Sequence, residues 1–189
     1  GKSQKEFNIK NLKTNIVTIR IGQGHGSGFF VGNNGYLLTN AHVVGDSKSV
    51  QIITSSGMEI EGQVIRKSKS RDVALIKVPL KITNSLYLKF QIPDIASDVY
   101  AAGTPIDEAL KTTVTKGIIS NIRVDNASGL KFIQADASIS PGNSGGPLFD
   151  KFGNVIGISV AKYNTNSAEG LGLFIPLQDA FNSIKLSIE

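Results

Sequence analysis

Pro141-Gly142-Asn143-Ser144-Gly145-Gly146-Pro147 is the stretch on which the reading of this chain turns. A serine set among glycines lets the backbone bend sharply, so that the hydroxyl is presented and neighbouring N–H groups converge on one oxygen. Those are the requirements of an acyl-transfer nucleophile, in which Oγ attacks and backbone donors stabilise the oxyanion. The same residues also describe an ordinary Gly/Asn/Ser turn, and the pattern alone does not separate the two.

Working outward, chain order discriminates. A nucleophilic serine needs a base and a group to orient that base. The two histidines, His25 and His42, both precede Ser144. The α/β-hydrolase order, with histidine after serine, is therefore excluded. The subtilisin order places an aspartate before the histidine, but the first aspartate here is Asp46. The order His, Asp, Ser remains, that of the chymotrypsin-type double β-barrel. His42 sits in Leu37-Leu38-Thr39-Asn40-Ala41-His42-Val43-Val44 and is expected at a strand end, partly buried and stiffly held. His25 lies among glycines in a hairpin, where nothing fixes its direction, so His42 is the favoured base. Asp46, Asp72, Asp94, Asp98, Asp107, Asp125 and Asp136 lie between His42 and Ser144. Asp72 opens the run Asp72-Val73-Ala74-Leu75-Ile76-Lys77-Val78. A carboxylate at the mouth of such a strand is expensive to bury without a partner. A histidine Nδ1–H is such a partner and fixes the tautomer that catalysis requires. A salt bridge with Arg71 accounts for the same carboxylate, so on the residues alone both readings stand.

The rest of the chain fits an all-β class. Strand patterns cover 16–21, 27–31, 36–39, 50–54, 58–66 and 73–78, then 98–102, 112–123, 131–134, 155–161 and 172–175. Gly32-Asn33-Asn34-Gly35, Ser55-Ser56-Gly57, Asn126-Ala127-Ser128-Gly129 and Lys151-Phe152-Gly153-Asn154 supply turns between them. A proline-bounded stretch, 79–93, divides the two sets. Pro176 begins a helical pattern to Ile188 with Leu177, Phe181, Ile184 and Ile188 on one face. The expected organisation is a single domain, 1–189: an N-terminal barrel at about 12–79, a linker at 80–95, a C-terminal barrel at 96–176 and a closing helix at 177–189. No internal repeat stands out.

Composition agrees and excludes. The 189 residues are 40% hydrophobic and 19% charged, enough apolar material for a core. Twenty glycines exceed the usual share of about 7%. The absence of cysteine removes disulfide scaffolds, thiol catalysis and iron–sulfur ligation. With two histidines, no HExxH and no EF-hand loop, no metal or other cofactor is expected. Gly22-Gln23-Gly24-His25-Gly26-Ser27-Gly28 fails the GxGxxG spacing and leads into a strand, so it is not a phosphate loop. A net charge of +5 is a mild excess, and no nucleic-acid partner is expected. Arg66, Lys67, Lys69 and Arg71 form a basic run that reads as a solvated hairpin edge, with polyanion binding as its alternative. No apolar run reaches the roughly 20 residues of a membrane span. Residues 1–10 are polar and do not read as a signal peptide; a cytosolic chain and one whose targeting segment has been removed both fit.

Four segments taken together resemble the trypsin-like serine proteases of the HtrA/Deg type: Gly26-Ser27-Gly28-Phe29-Phe30-Val31, Thr39-Asn40-Ala41-His42-Val43-Val44, Asp72-Val73-Ala74-Leu75-Ile76-Lys77-Val78 and Gly142-Asn143-Ser144-Gly145-Gly146-Pro147-Leu148. Ala102-Gly103-Thr104-Pro105, Lys116-Gly117-Ile118-Ile119-Ser120, Gln134-Ala135-Asp136-Ala137 and Gly170-Leu171-Gly172-Leu173-Phe174-Ile175-Pro176 follow in the family's order, so the likeness covers most of 16–176. The resemblance implies a triad of His42, Asp72 and Ser144, and an oxyanion hole from the N–H groups of Gly142 and Ser144. It implies a primary specificity pocket with Ser138 at its base and Ile139, Val160, Ala161 and Lys162 near its walls. No acid at the base points to small or medium aliphatic side chains before the scissile bond. It further implies endoproteolysis of unfolded or extended polypeptides and a periplasmic or otherwise extracytoplasmic setting. A trimer and a monomer are equally compatible with it. A resting, peptide-binding module of the same fold is the alternative function. PDZ domains and the aromatic N-terminal segment common in that family have no counterpart in the residues given.

Overall fold

Several strands of this chain carry apolar side chains on both faces, and the two faces go to different places. Along β1 (Ile16–Ile21), Ile16 points to a core shared with the second half of the chain, while Val17 and Ile19 point into a barrel interior. The same alternation divides Phe29 from Phe30 on β2 (Gly24–Val31), Leu38 from Leu37 on β3 (Tyr36–Thr39), and Val73 and Leu75 from Ala74 and Ile76 on β6 (Val73–Lys77). Period-2 geometry explains why these runs look uniformly apolar: neither face meets water. This computed structural model describes residues 9–104, 111–140, 142–160 and 171–187.

With β4 (Ser49–Ile53) and β5 (Glu59–Ser68), the first six strands close into an antiparallel barrel in the order β1-β2-β3-β6-β5-β4. The second barrel comprises β7 (Asp98–Gly103), β8 (Thr113–Val124), β9 (Lys131–Ala135), β10 (Pro147–Asp150), β11 (Val155–Ser159) and β12 (Gly172–Pro176). Its order is β7-β8-β9-β12-β11-β10, the same pattern as the first barrel. The two halves thus repeat one topology that the residues themselves do not advertise. Val99, Ile119, Ile133, Leu148, Ile156 and Phe174 fill the second interior. Between the barrels, Ile16, Phe29, Leu38 and Leu75 meet Phe149, Val155, Ile158 and Ile175.

The fold adds to the expected elements and trims others. Strand β10 begins at the last residue of the glycine-rich motif, a proline, which a strand tolerates at its first residue. The connection after β6 is not loose: Leu86 is buried, and Tyr87 and Lys89 exchange backbone hydrogen bonds with Val155 at the head of β11. A short helix, α1 (Ile9–Thr14), precedes β1. His42 stands not at a strand end but on a one-turn helix, α2 (Ala41–Val44), stopped by Gly45 at φ 56°. The closing helix, α3 (Leu177–Ser183), is shorter than the pattern to Ile188 suggests. It ends where Lys185 takes φ 54°, with Leu186 N–H bonded back to Phe181 O and Arg66 Nη1 donating to Ile184 O and Lys185 O. These groups satisfy carbonyls that a further turn would otherwise occupy. Ile188 lies outside the described residues. Among the described residues no helix is long and apolar enough to cross a membrane.

Candidate active site

The first barrel delivers two of the predicted residues through local geometry. Strand β3 ends at Thr39 and the chain turns directly into α2, so His42 sits one residue inside a helix packed against β1, β2 and β6. Asp72 occupies the turn between β5 and β6 at φ 68°, a left-handed conformation that aspartate tolerates better than most residues. Its N–H is held by Ser68 O at 2.9 Å. Both carboxylate oxygens of Asp72 grip His42: Oδ1 accepts the backbone N–H at 2.8 Å and Oδ2 lies 2.7 Å from Nδ1. A carboxylate only accepts, so Nδ1 carries the ring proton and Nε2 is left with a lone pair. That lone pair faces Ser144 Oγ at 2.9 Å. The structure therefore brings together His42, Asp72 and Ser144, with Asp72 and Ser144 buried and the His42 side chain 31% exposed.

The competing reading of Asp72 through Arg71 also has a structural answer. The Arg71 guanidinium lies 4.4 Å over the Phe132 ring of β9 and 3.6 Å from Asp179 of α3, so the cation ties the barrels together. The rest of the basic run is similarly engaged. Arg66 binds α3 carbonyls, and Lys67 donates to Gly45 O at 2.6 Å. Lys67 and Lys69 both lie near Asp46. The expected solvated hairpin edge therefore holds for Arg66 and Lys69 but not for Arg71, which is buried between the barrels.

Ser144 comes from the second barrel. Ser140 O accepts Asn143 N–H at 3.0 Å across a four-residue turn whose third residue, Gly142, has φ 96°. A φ of that sign is open to glycine at no steric cost. Gly145, at φ 90°, is packed so tightly that a Cβ would overlap Ser27 O and Thr39 Oγ1. Ser144 O in turn accepts Ser27 N–H at 2.9 Å.

Two polar residues were not legible as site residues. Asn40 is fully buried; its Nδ2 donates to Asp72 O at 3.0 Å, and its Oδ1 accepts Ser144 Oγ–H at 2.8 Å. Because Asp72 O only accepts, the amide orientation is fixed, and Oδ1 must face the serine. Ser27, also fully buried, bonds to Gly142 O, Thr104 and Ser144 O. Sequence offers no cue for either, since their partners lie up to 115 positions away. His25 lies on β2 with Nε2 3.3 Å from Thr104 O, apart from the Asp72–His42–Ser144 series.

The expected specificity residues fall less neatly. Ser138 is exposed, and its carbonyl accepts Thr115 Oγ1–H at 2.8 Å. Ile139 is half-buried and lies against Gly172, where a Cβ would stand 2.7 Å from Ile139 Cδ1. Val160 is buried and bonded to Leu173 O. Ala161 and Lys162 lie outside the described residues.

A family model described as "Trypsin-like peptidase domain" matches residues 26–158. The chain is 40% identical over 169 residues to a Synechocystis protein named "Putative serine protease HhoB", covering 85% of this chain and 39% of that protein. It is 35% identical over 175 residues to "Probable periplasmic serine endoprotease DegP-like" of Bartonella henselae, covering 87% and 33%. With the protein of the same name from Pseudomonas fulva it shares 37% over 172 residues, covering 86% and 34%. The chain thus spans about two fifths or less of the length of these curated relatives.

Proposed function

The chain belongs to the trypsin-like peptidase family, and from that premise we propose that it is a serine endopeptidase cleaving unfolded or extended polypeptides through an acyl-enzyme. One observation carries the reading: the Asp72 carboxylate, both His42 ring nitrogens and Ser144 Oγ stand in series at 2.7 and 2.9 Å, so the serine hydrogen has only to turn from Asn40 Oδ1 to meet the Nε2 lone pair. In the proposed cycle Oγ adds to the scissile carbonyl carbon while its proton passes to His42 Nε2. The carbonyl oxygen becomes an oxyanion held by the N–H groups of Gly142 and Ser144. Collapse breaks the C–N bond, and the imidazolium gives its proton to the departing amine. Water then loses a proton to His42, attacks the ester, and restores Ser144 Oγ–H as the acid leaves. Asp72 stays ionised throughout and holds the ring in the required tautomer.

The substrate reading follows from the same loop. Ser138 offers no charge to hold a lysine or arginine side chain, and its neighbour Ile139 is apolar. Small or medium aliphatic residues before the scissile bond are therefore the proposed preference, and a cleavage profile on a peptide library tests it. The printed names of the relatives support an extracytoplasmic location.

The function itself is tested on casein. Wild-type protein is expected to release fragments, and Ser144→Ala is expected to release none; equal cleavage by both rejects the assignment. Labelling of Ser144 by a fluorophosphonate separates an enzyme from a module that binds peptide without turning it over.

A further inference from the structure

The hydroxyl of Ser27 belongs to the first barrel, yet its hydrogen is spent on the second. Ser27 Oγ donates to Gly142 O at 2.7 Å. It accepts Thr104 N–H at 2.8 Å and lies 3.1 Å from Thr104 Oγ1. A hydroxyl has one hydrogen and two lone pairs. With the hydrogen on Gly142 O, Thr104 Oγ1 must be the donor in the last contact, and the Ser27 hydroxyl is then saturated. All three residues are buried or nearly so: Ser27 at 0%, Thr104 at 3%, and Gly142 in the nucleophile turn.

We propose that Ser27 is a positioning residue for the oxyanion hole, fixing from the first barrel the turn of the second that presents the Gly142 and Ser144 N–H groups. Anchoring the Gly142 carbonyl sets the plane of the 142–143 peptide, whose N–H is directed to Ser140 O at 3.0 Å. Ser27 N–H holds Ser144 O at 2.9 Å, so one residue of β2 grips the turn on both sides of Asn143. Without the hydroxyl the Gly142 carbonyl loses a buried partner and the turn is free to rotate toward another. Donors that must be preorganised around a developing charge lose most when their backbone gains that freedom. The proposal rests on the reading of Ser144 as the nucleophile.

The test compares wild type, Ser144→Ala, Ser27→Ala and Thr104→Val. Thr104→Val removes the threonine hydroxyl from the same buried junction but leaves the Ser27-to-Gly142 bond in place, and so reports the structural cost alone. Ser27→Ala is expected to lower kcat by roughly 10- to 100-fold with KM within about threefold, short of the 10²–10³-fold that follows loss of an oxyanion donor itself. The affinity of a peptide boronate, which becomes tetrahedral on Ser144, is expected to fall in parallel, while binding of the cleaved peptide product is unchanged. Thr104→Val is expected to keep both within about threefold of wild type. If Ser27→Ala does not yield folded protein, Ser27→Cys replaces it, a weaker donor of similar size with a smaller deficit but the same split. Turnover that survives Ser144→Ala overturns the nucleophile and this proposal together. Turnover abolished by Ser144→Ala but undiminished in the Ser27 variant overturns the positioning role alone, as does a Ser27 variant in which boronate and product weaken equally.

Discussion

Asp72 is held at an unusual backbone angle so that one carboxylate can address two hydrogens of the same residue. One oxygen takes the His42 main-chain N–H and the other faces the ring, so ring position and tautomer are set by a single side chain. Asparagine also tolerates a left-handed φ, so Asp72→Asn is expected to keep the fold while losing the tautomer control. The expected result is a fall of about 10⁴-fold in kcat with an unchanged melting temperature, checked by steady-state kinetics beside calorimetry. The residues legible from sequence were those whose side chains have few alternative uses. His42 and Ser144 stand in one permitted order, whereas Asp72, open to a salt bridge with Arg71 on the residues alone, was singled out only by the family resemblance. Asn40 and Ser27 were opaque for the opposite reason: an amide or a hydroxyl is ordinary anywhere, and only folding reveals that each meets residues of the other barrel.

Among the elements, most strands were legible because their alternation is strong, whereas β10 was concealed by its own motif. Pro147 and the preceding glycines read as turn, and only pairing with β7 and β11 makes a strand of Pro147–Asp150. Helix α2 was misread because four residues are too few for a helical period to show in a run of apolar side chains. The β8–β9 hairpin carries a titratable fastening at its tip. The Ser128 hydroxyl, and after it the Ser128 N–H, donates to the Asp125 carboxylate and holds it below its ordinary value of 3.8. A carboxyl lowered in the folded state adds stability that is complete above its ordinary value and lost as pH falls through the folded one. Amide exchange at the hairpin tip is therefore expected to quicken below about pH 4 in wild type relative to Asp125→Asn, and profiles that coincide remove this fastening.

At the scale of the molecule, the double barrel was legible through elimination of other residue orders rather than through any visible duplication. The shared strand order of the two barrels leaves no trace in the sequence, because topology constrains which faces are apolar and not which apolar residue stands on them. The core between the barrels carries the relative placement of His42 and Ser144. Leu75 is 2% exposed there, three residues beyond Asp72. Leu75→Ala is expected to cost about 2–5 kcal/mol in urea unfolding, whereas Lys69→Ala, at an exposed position, is expected to stay within about 0.5 kcal/mol. A loss near zero for Leu75→Ala contradicts the packing described between the barrels. His42 precedes Ser144 by 102 positions. As the ribosome extends the chain, the histidine and its carboxylate emerge with nothing yet to activate. On the proposed reading, cutting power is withheld until the closing strands arrive, and a half-made copy is expected to leave its neighbours on the polysome intact.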